Sequence, residues 1–196
     1  MRENTAIHAN SGYDIFENAL VGILSMNLSR KIRLAILVAL LLGTVGCDQT
    51  VKHLARVHLG ESTAVPLPGG FGELRLAENA GAFLSLGASL PPAVRTWVFT
   101  IGTAVGLLAL AGYLLGRACF SRLTFVGAAL VLAGGASNLI DRIARDGFVT
   151  DFITLRCGPL HTGVFNLADM FVLLGVSLIF LAQWRTPPPI AGGQQP

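Results

Sequence analysis

Charge is what this chain has least of. Asp, Glu, Lys and Arg make up 13% of its 196 residues, against about 25% in ordinary soluble domains. Hydrophobic residues reach 53% and the mean hydropathy is +0.64, a composition that excludes a solvated globule. The net charge is only +3, and the basic residues are scattered rather than striped, so no nucleic-acid partner is expected. Cysteine is scarce too. Cys47, Cys119 and Cys157 are odd in number, far apart and without a CxxC pair, which excludes a disulfide framework and a zinc site; they are expected to be buried apolar side chains. His8, His53, His58 and His161 form no HExxH pair, which argues against a zinc peptidase, and His53 reads as an interfacial histidine. There is no GxSxG elbow, and Ser137 has no histidine or lysine that sequence would assign to it. No metal and no cofactor are called for.

What the chain does have is four long apolar runs, Leu34–Cys47, Trp97–Gly116, Leu123–Ile140 and Val164–Ala182. A bilayer core takes about 20 residues of helix, so each run spans once its flanks are included, at about 34–56, 95–116, 123–141 and 164–184. Helices satisfy their own backbone polar groups, which lipid does not do for them. The fold class expected is an all-α, multi-pass membrane protein over residues 28–185. Residues 1–27 contain no run long enough to span and read as a disordered extension or a start-site artefact, since "MNLSRKIRLAILVAL" from Met26 makes a natural beginning. The Pro/Gly/Gln-rich tail over 186–196 is expected to be disordered.

The first run also admits another reading. Arg30, Lys31 and Arg33, an apolar stretch and "TVGC" have the grammar of a lipoprotein signal peptide, with Cys47 as the acylated residue. Three further spans and a Thr44 where Leu is usual weigh against it. The loop after span one holds "GELRLAENAGAFLSLG", and the loop after span three holds "GFVTDFITLRCG" and "LHTGVFN". Their alternation predicts short strands, joined as a small antiparallel sheet on one membrane face. Arg30, Lys31 and Arg33 precede span one, Arg117 and Arg122 lie in the second loop, and Arg185 follows span four. Lys52, Arg56, Arg75, Arg95, Arg142, Arg145 and Arg156 lie on the opposite side. The cluster before the first helix favours both termini in the cytoplasm.

Polar residues converge on a single layer. Asp48, Gln49 and Lys52 sit at the C-terminal end of span one; Asn138, Asp141 and Arg142 at that of span three; Asn166 and Asp169 at the N-terminal end of span four. Because span four runs opposite to spans one and three, all these ends share one face. Asp48 and Lys52 are spaced i, i+4 and can pair. For them and Arg142, a second reading is a set of helix-end anchors whose charges snorkel outward. Asp151, in "FVTDFI", and Asp169, before "MFVLLGVSLIF", lie in apolar surroundings without a nearby cation in sequence. Two such carboxylates point to a dyad in which one holds a proton while the other ionises and activates water. Asp169, in the first turn of span four, is expected to be the ionised partner. "GGASN" reads as close helix packing.

In order along the chain, "DQTVK", "ENAGAF", "GGASNLIDR", "VTDF" and "FNLAD" resemble the motifs of the lipoprotein signal peptidases (signal peptidase II), over roughly residues 30–184. The resemblance implies a four-helix membrane aspartyl endopeptidase with a small periplasmic antiparallel β-cradle and a loop helix over the site. It further implies cleavage of diacylglyceryl-modified prolipoproteins immediately before the lipidated cysteine, in the bacterial inner membrane. Carried over by residue, Asp151 and Asp169 are catalytic. Asn79, Gly81, Asn138, Asp141, Arg142, Asn166 and Ala168 are supporting or substrate-binding, and Asp48 and Lys52 match the family's structural pair. Membrane lipid and globomycin-type inhibitors are the other partners implied, and nothing requires more than a monomer. Two stretches depart from the family pattern: "NAGAFLSLG" is tighter, and "RIARDGFVTDF" is a residue longer between Arg142 and Asp151. The alternative reading is a small transporter or proton-path protein built on the same buried charges.

Overall fold

The computed structural model describes residues 29–60, 64–81, 87, 89–117 and 120–184. The extension and tail, Cys119, and the loop expected to form a helix over the site (residues 82–86) lie outside the described residues. Among the described residues, four helices are long and apolar enough to cross a membrane: α1 (Arg30–His58), α2 (Pro92–Gly116), α3 (Arg122–Ala144) and α4 (Leu167–Trp184). Each start has a local cause. Ser29 Oγ accepts from the Ile32 N–H and Ser121 Oγ from the Thr124 N–H, satisfying amides that no helical carbonyl can reach. Proline opens α2, where its missing N–H costs nothing, and residues Thr96–Gly102 of that helix are wound wider, as a π-helix. The fourth helix begins at Leu167, not at the 164 expected from hydropathy, because the chain just before it is used otherwise. Phe165 exchanges backbone hydrogen bonds with Ile153.

Helix α3 forms the centre of the bundle, and its small residues allow this. A Cβ at Gly127 would stand 2.6 Å from the Gly175 carbonyl oxygen of α4, and one at Gly134 would stand 2.5 Å from that of Ala168. The α3 and α4 backbones therefore touch, which is how helices associate when lipid removes the hydrophobic drive. Gly127→Ala is expected to destabilise by about 1–3 kcal/mol through overpacking, because a carbonyl cannot swing aside as a side chain does. Gly112→Ala, which meets nothing within 4 Å, is the neutral control, with both read as thermal midpoints in detergent. Away from the core, Leu42, Leu108 and Phe180 are exposed, as a lipid-facing surface requires. Cys47 and Cys157 are exposed as well. This overturns the expectation of buried cysteines: Cys47 is on an outer face of α1, where lipid rather than protein covers apolar groups.

The two loops do build a sheet. Strands β1 (Val65–Pro66), β2 (Gly72–Asn79), β3 (Val149–Cys157) and β4 (Leu160–His161) lie in that order, all antiparallel. The central pairing joins the loop after α1 to the loop after α3, with Ala77 opposite Asp151 and Asn79 opposite Val149, and a register shift between Leu74 and Ala77. Asp151 thus sits on a strand anchored on both sides, by β2 and by Phe165 at the foot of α4.

Candidate active site

The layer where α1, α3, α4 and β3 meet is polar and buried. Asp48 and Lys52 are wholly inaccessible, so the reading in which they and Arg142 snorkel outward is overturned; Arg142 is buried also. The Lys52 ammonium lies 2.7 Å from Asp48 Oδ2 and 3.0 Å from Asp141 Oδ2, and donates at 2.8 Å to Asn138 Oδ1. One cation therefore serves two carboxylates. The remaining acceptor capacity is filled by neutral donors: Ser137 Oγ and the Ala168 N–H to Asp48, Gln49 Nε2 and the Thr150 N–H to Asp141. A buried charge is tolerated only when paired and hydrogen-bonded in this way.

Lys52 also sets the next link. An ammonium has three donors and no acceptor, so Asn138 must turn its oxygen toward Lys52 and its Nδ2 away. That Nδ2 donates at 2.8 Å to Asp169 Oδ1. Asn138 Oδ1 also accepts from Asn166 Nδ2 at 3.1 Å, and the same Asn166 amine donates at 2.6 Å to Asp151 Oδ1. Two asparagines with fixed amide orientation thus present donors to both aspartates, and the orientation traces back to one lysine.

Asn166 and Asp169 do a second job as the start of α4. Asn166 Oδ1 accepts from the Asp169 N–H at 3.0 Å, and Asp169 Oδ2 accepts from the Asn166 N–H at 3.3 Å. This reciprocal pair is a capping box, so the residues that begin the helix are the ones that hold the carboxylate in place. Asp169 belongs to the first turn, where the helix dipole favours negative charge.

On the sheet side, Asn79 Nδ2 donates at 2.8 Å to Asp151 Oδ2, while its Oδ1 accepts from the Gly81 N–H. Arg142 Nη2 donates at 2.9 Å to the Gly81 carbonyl, so the chain leaving β2 is held from both ends. Asp151 and Asp169 line one cavity of about 180 Å³, together with Asn79, Asn138, Arg142 and Val172. Burial, followed by repulsion from Asp169, pushes the Asp151 carboxyl up to about 7. The Asn79 and Asn166 donors and the Lys52 charge pull the other way and are outweighed.

Every site residue expected from sequence is in this layer: Asp48, Lys52, Asn79, Gly81, Asn138, Asp141, Arg142, Asp151, Asn166, Ala168 and Asp169. Sequence reasoning misses the roles of Ser137, Gln49 and Thr150. It also misses the capping box, although "FNLAD" offered a signal for it in Asn and Asp three residues apart ahead of an apolar run. Asp141, which stands beside Arg142 in sequence, turns to Lys52 instead.

Comparison with known proteins points one way. Residues 36–185 match the family described as Signal peptidase (SPase) II. The chain is 34% identical over 161 residues to the lipoprotein signal peptidase of Syntrophotalea carbinolica, covering 79% of this chain and 93% of that protein. It is 37% identical over 147 residues to the lipoprotein signal peptidase of Moorella thermoacetica, covering 74% and 88%. A solved bacterial membrane enzyme superposes with a TM-score of 0.66 at 25% identity, over 82% of this chain and 92% of that one.

Proposed function

The chain belongs to the signal peptidase II family, and on that premise we propose that it is an aspartyl endopeptidase that removes signal peptides from diacylglyceryl-modified prolipoproteins, cutting immediately before the lipidated cysteine. The observation that carries this reading is the pair Asp151 and Asp169 on one cavity, each fixed by amide donors and neither ion-paired with a cation among the described residues. Asp169, at the helix start, is the ionised member and takes a proton from a water held between the two. Asp151 is the protonated member and donates to the scissile carbonyl oxygen as the water oxygen bonds to its carbon. Collapse of the tetrahedral intermediate breaks the C–N bond: the proton held on Asp169 passes to the leaving amine, Asp151 takes its proton back from a hydroxyl of the intermediate as the C=O re-forms, and the pair returns to its starting state. The proton belongs to the pair as a unit. Arg142 Nε, buried and without a partner among the described residues, supplies a donor for the substrate backbone.

The active layer is placed at the periplasmic face of the inner membrane with both termini cytoplasmic, supported by Arg30, Lys31 and Arg33 ahead of α1. The sheet then acts as a cradle for the emerging substrate, and a monomer suffices. Globomycin-type inhibitors would occupy the cavity between the aspartates. The transporter reading is disfavoured because the buried carboxylates lie at one depth, whereas a path across the bilayer needs them at several.

A pH profile tests the proton assignment. Asp151 must be protonated to work, so it sets the alkaline limb, where activity is lost as pH rises through about 7. Above that point kcat/KM is expected to fall about tenfold per pH unit. The Asn79 donor favours the ionised form, so in Asn79→Leu the alkaline limb moves to higher pH. A limb that stays put, or moves lower, contradicts the assignment.

A further inference from the structure

The central strand pair separates two cavities. Side chains alternate across a sheet, so Asn79 and Asp151 face the cavity of about 180 Å³ already described, while Glu78 and its cross-strand partner Thr150 face the other way. On that second side lies a larger cavity of about 540 Å³, lined by Gln49, Arg56, Glu78, Asp141, Arg145 and Asp146 among others. Its size falls within the range of about 300–1,000 Å³ usual for small-molecule sites.

The charges around it are of both signs. Arg56, in the last turn of α1, donates from Nη1 at 3.0 Å to Thr150 Oγ1. Arg145, at the end of α3, has Nη1 3.9 Å from Glu78 Oε1. Because Thr150 and Glu78 are opposite one another in the sheet, the two guanidinium groups stand over one cross-strand pair, close enough to repel each other. A hydroxyl contact and one long ion pair leave capacity among the five N–H donors that each guanidinium carries. Asp141 is already held by Lys52, Gln49 and Thr150. The carboxylates with free capacity on the cavity are those of Glu78 and Asp146, both on exposed residues. A simple anion would meet these two acids and a simple cation would meet the two arginines. A zwitterion satisfies both pairs.

The position favours a lipid as its carrier. The cavity lies where two apolar spans end, the depth at which headgroups sit. Val57, next to Arg56, and Ile143, two residues before Arg145, are 61% and 71% exposed, so apolar surface for acyl chains adjoins the charged groups.

We propose that this cavity binds the phosphoethanolamine headgroup of one membrane phospholipid, its phosphate taken by Arg56 and Arg145 and its ammonium by Glu78 and Asp146. Guanidinium groups bind phosphate through paired N–H donors. The ammonium supplies three donors to the carboxylates, which a quaternary amine cannot do.

Thermal unfolding of the purified full chain in detergent, with one lipid added at a time, is the test. Phosphatidylethanolamine is expected to raise the midpoint by about 5 °C or more near saturation. Phosphatidylcholine, which has no N–H, and phosphatidylglycerol, which has no amine, should each give less than half that shift at the same mole fraction. Soluble glycerophosphoethanolamine at the same concentration should give none, because it lacks the chains that hold the headgroup at this depth. In Arg145→Gln and in Glu78→Gln, the phosphatidylethanolamine needed for a half-maximal shift should rise at least about tenfold, the loss of one charge-assisted hydrogen bond. Both side chains are partly exposed, so lipid-free midpoints near the wild-type value will show that the variants fold. No shift with phosphatidylethanolamine, an equal shift with either other lipid or with the soluble headgroup, or an undiminished response in both variants overturns the proposal.

Discussion

Asp169→Asn is expected to lower kcat for prolipoprotein cleavage by at least about 10³-fold, within the range that a positioned general acid or base contributes, while the thermal midpoint holds or rises. The substitution is isosteric, so the amide oxygen can still accept from Asn138 Nδ2, and only the long 3.3 Å bond from the Asn166 N–H is given up. What disappears is the group that accepts the water proton. Asp151→Asn is expected to do equal damage from the other side, because an amide cannot pass a proton to the carbonyl oxygen and back. Neither change should loosen the fold. Burial first, and then repulsion from Asp169, pushes Asp151 up to about 7, and neutralising one carboxylate relieves the repulsive part. This is the usual exchange of stability for activity at a strained site. Loss of activity accompanied by a large fall in midpoint would instead mark these residues as structural.

Lys52→Met should have the largest effect on stability. It leaves Asp48 and Asp141 buried and facing each other across the space of the lost ammonium. Removing one partner of a buried charge network costs about 3–5 kcal/mol, which for a chain of this length is a fall in midpoint of roughly 10 °C. Activity should fall with it even below the unfolding range. Without the ammonium, nothing obliges Asn138 to point its amine at Asp169. Adding Asp141→Asn to Lys52→Met is expected to recover part of the stability and little of the activity. That non-additive result would separate the lysine's charge-balancing role from its role in orienting Asn138. Equal recovery of both would mean that the orientation of Asn138 is unimportant to the chemistry.

Much of this architecture is legible in the sequence because lipid imposes strict rules. Apolar runs must be helices, and the few polar residues tolerated near them must find one another. The positions of Asp48, Asn138, Asp151 and Asp169 at like-facing ends therefore point to a single layer before any coordinates are known. Other features are hidden for definite reasons. Cys47 looks like a core residue because, in a membrane helix, apolar character no longer separates inside from outside. The i, i+4 spacing of Asp48 and Lys52 announces their pair but cannot announce Asp141, whose approach depends on how closely α1 and α3 pack. The start of α4 is displaced to Leu167 because Phe165 joins β3, a long-range pairing with no local sign. The capping box was written in "FNLAD", but its letters also fit a catalytic motif. Both readings hold, because the cap positions the aspartate.

The central claim is that Asp151 and Asp169 together cut a prolipoprotein before its lipidated cysteine. Intact-mass spectrometry of a diacylglyceryl-modified prolipoprotein incubated with the purified chain in lipid tests it most directly. The account predicts two products, a free signal peptide and a mature chain beginning at the modified cysteine. No such products should form with Asp151→Asn or Asp169→Asn, and the enzyme's own first helix should stay intact at Cys47. The same products at the wild-type rate from either variant would contradict it.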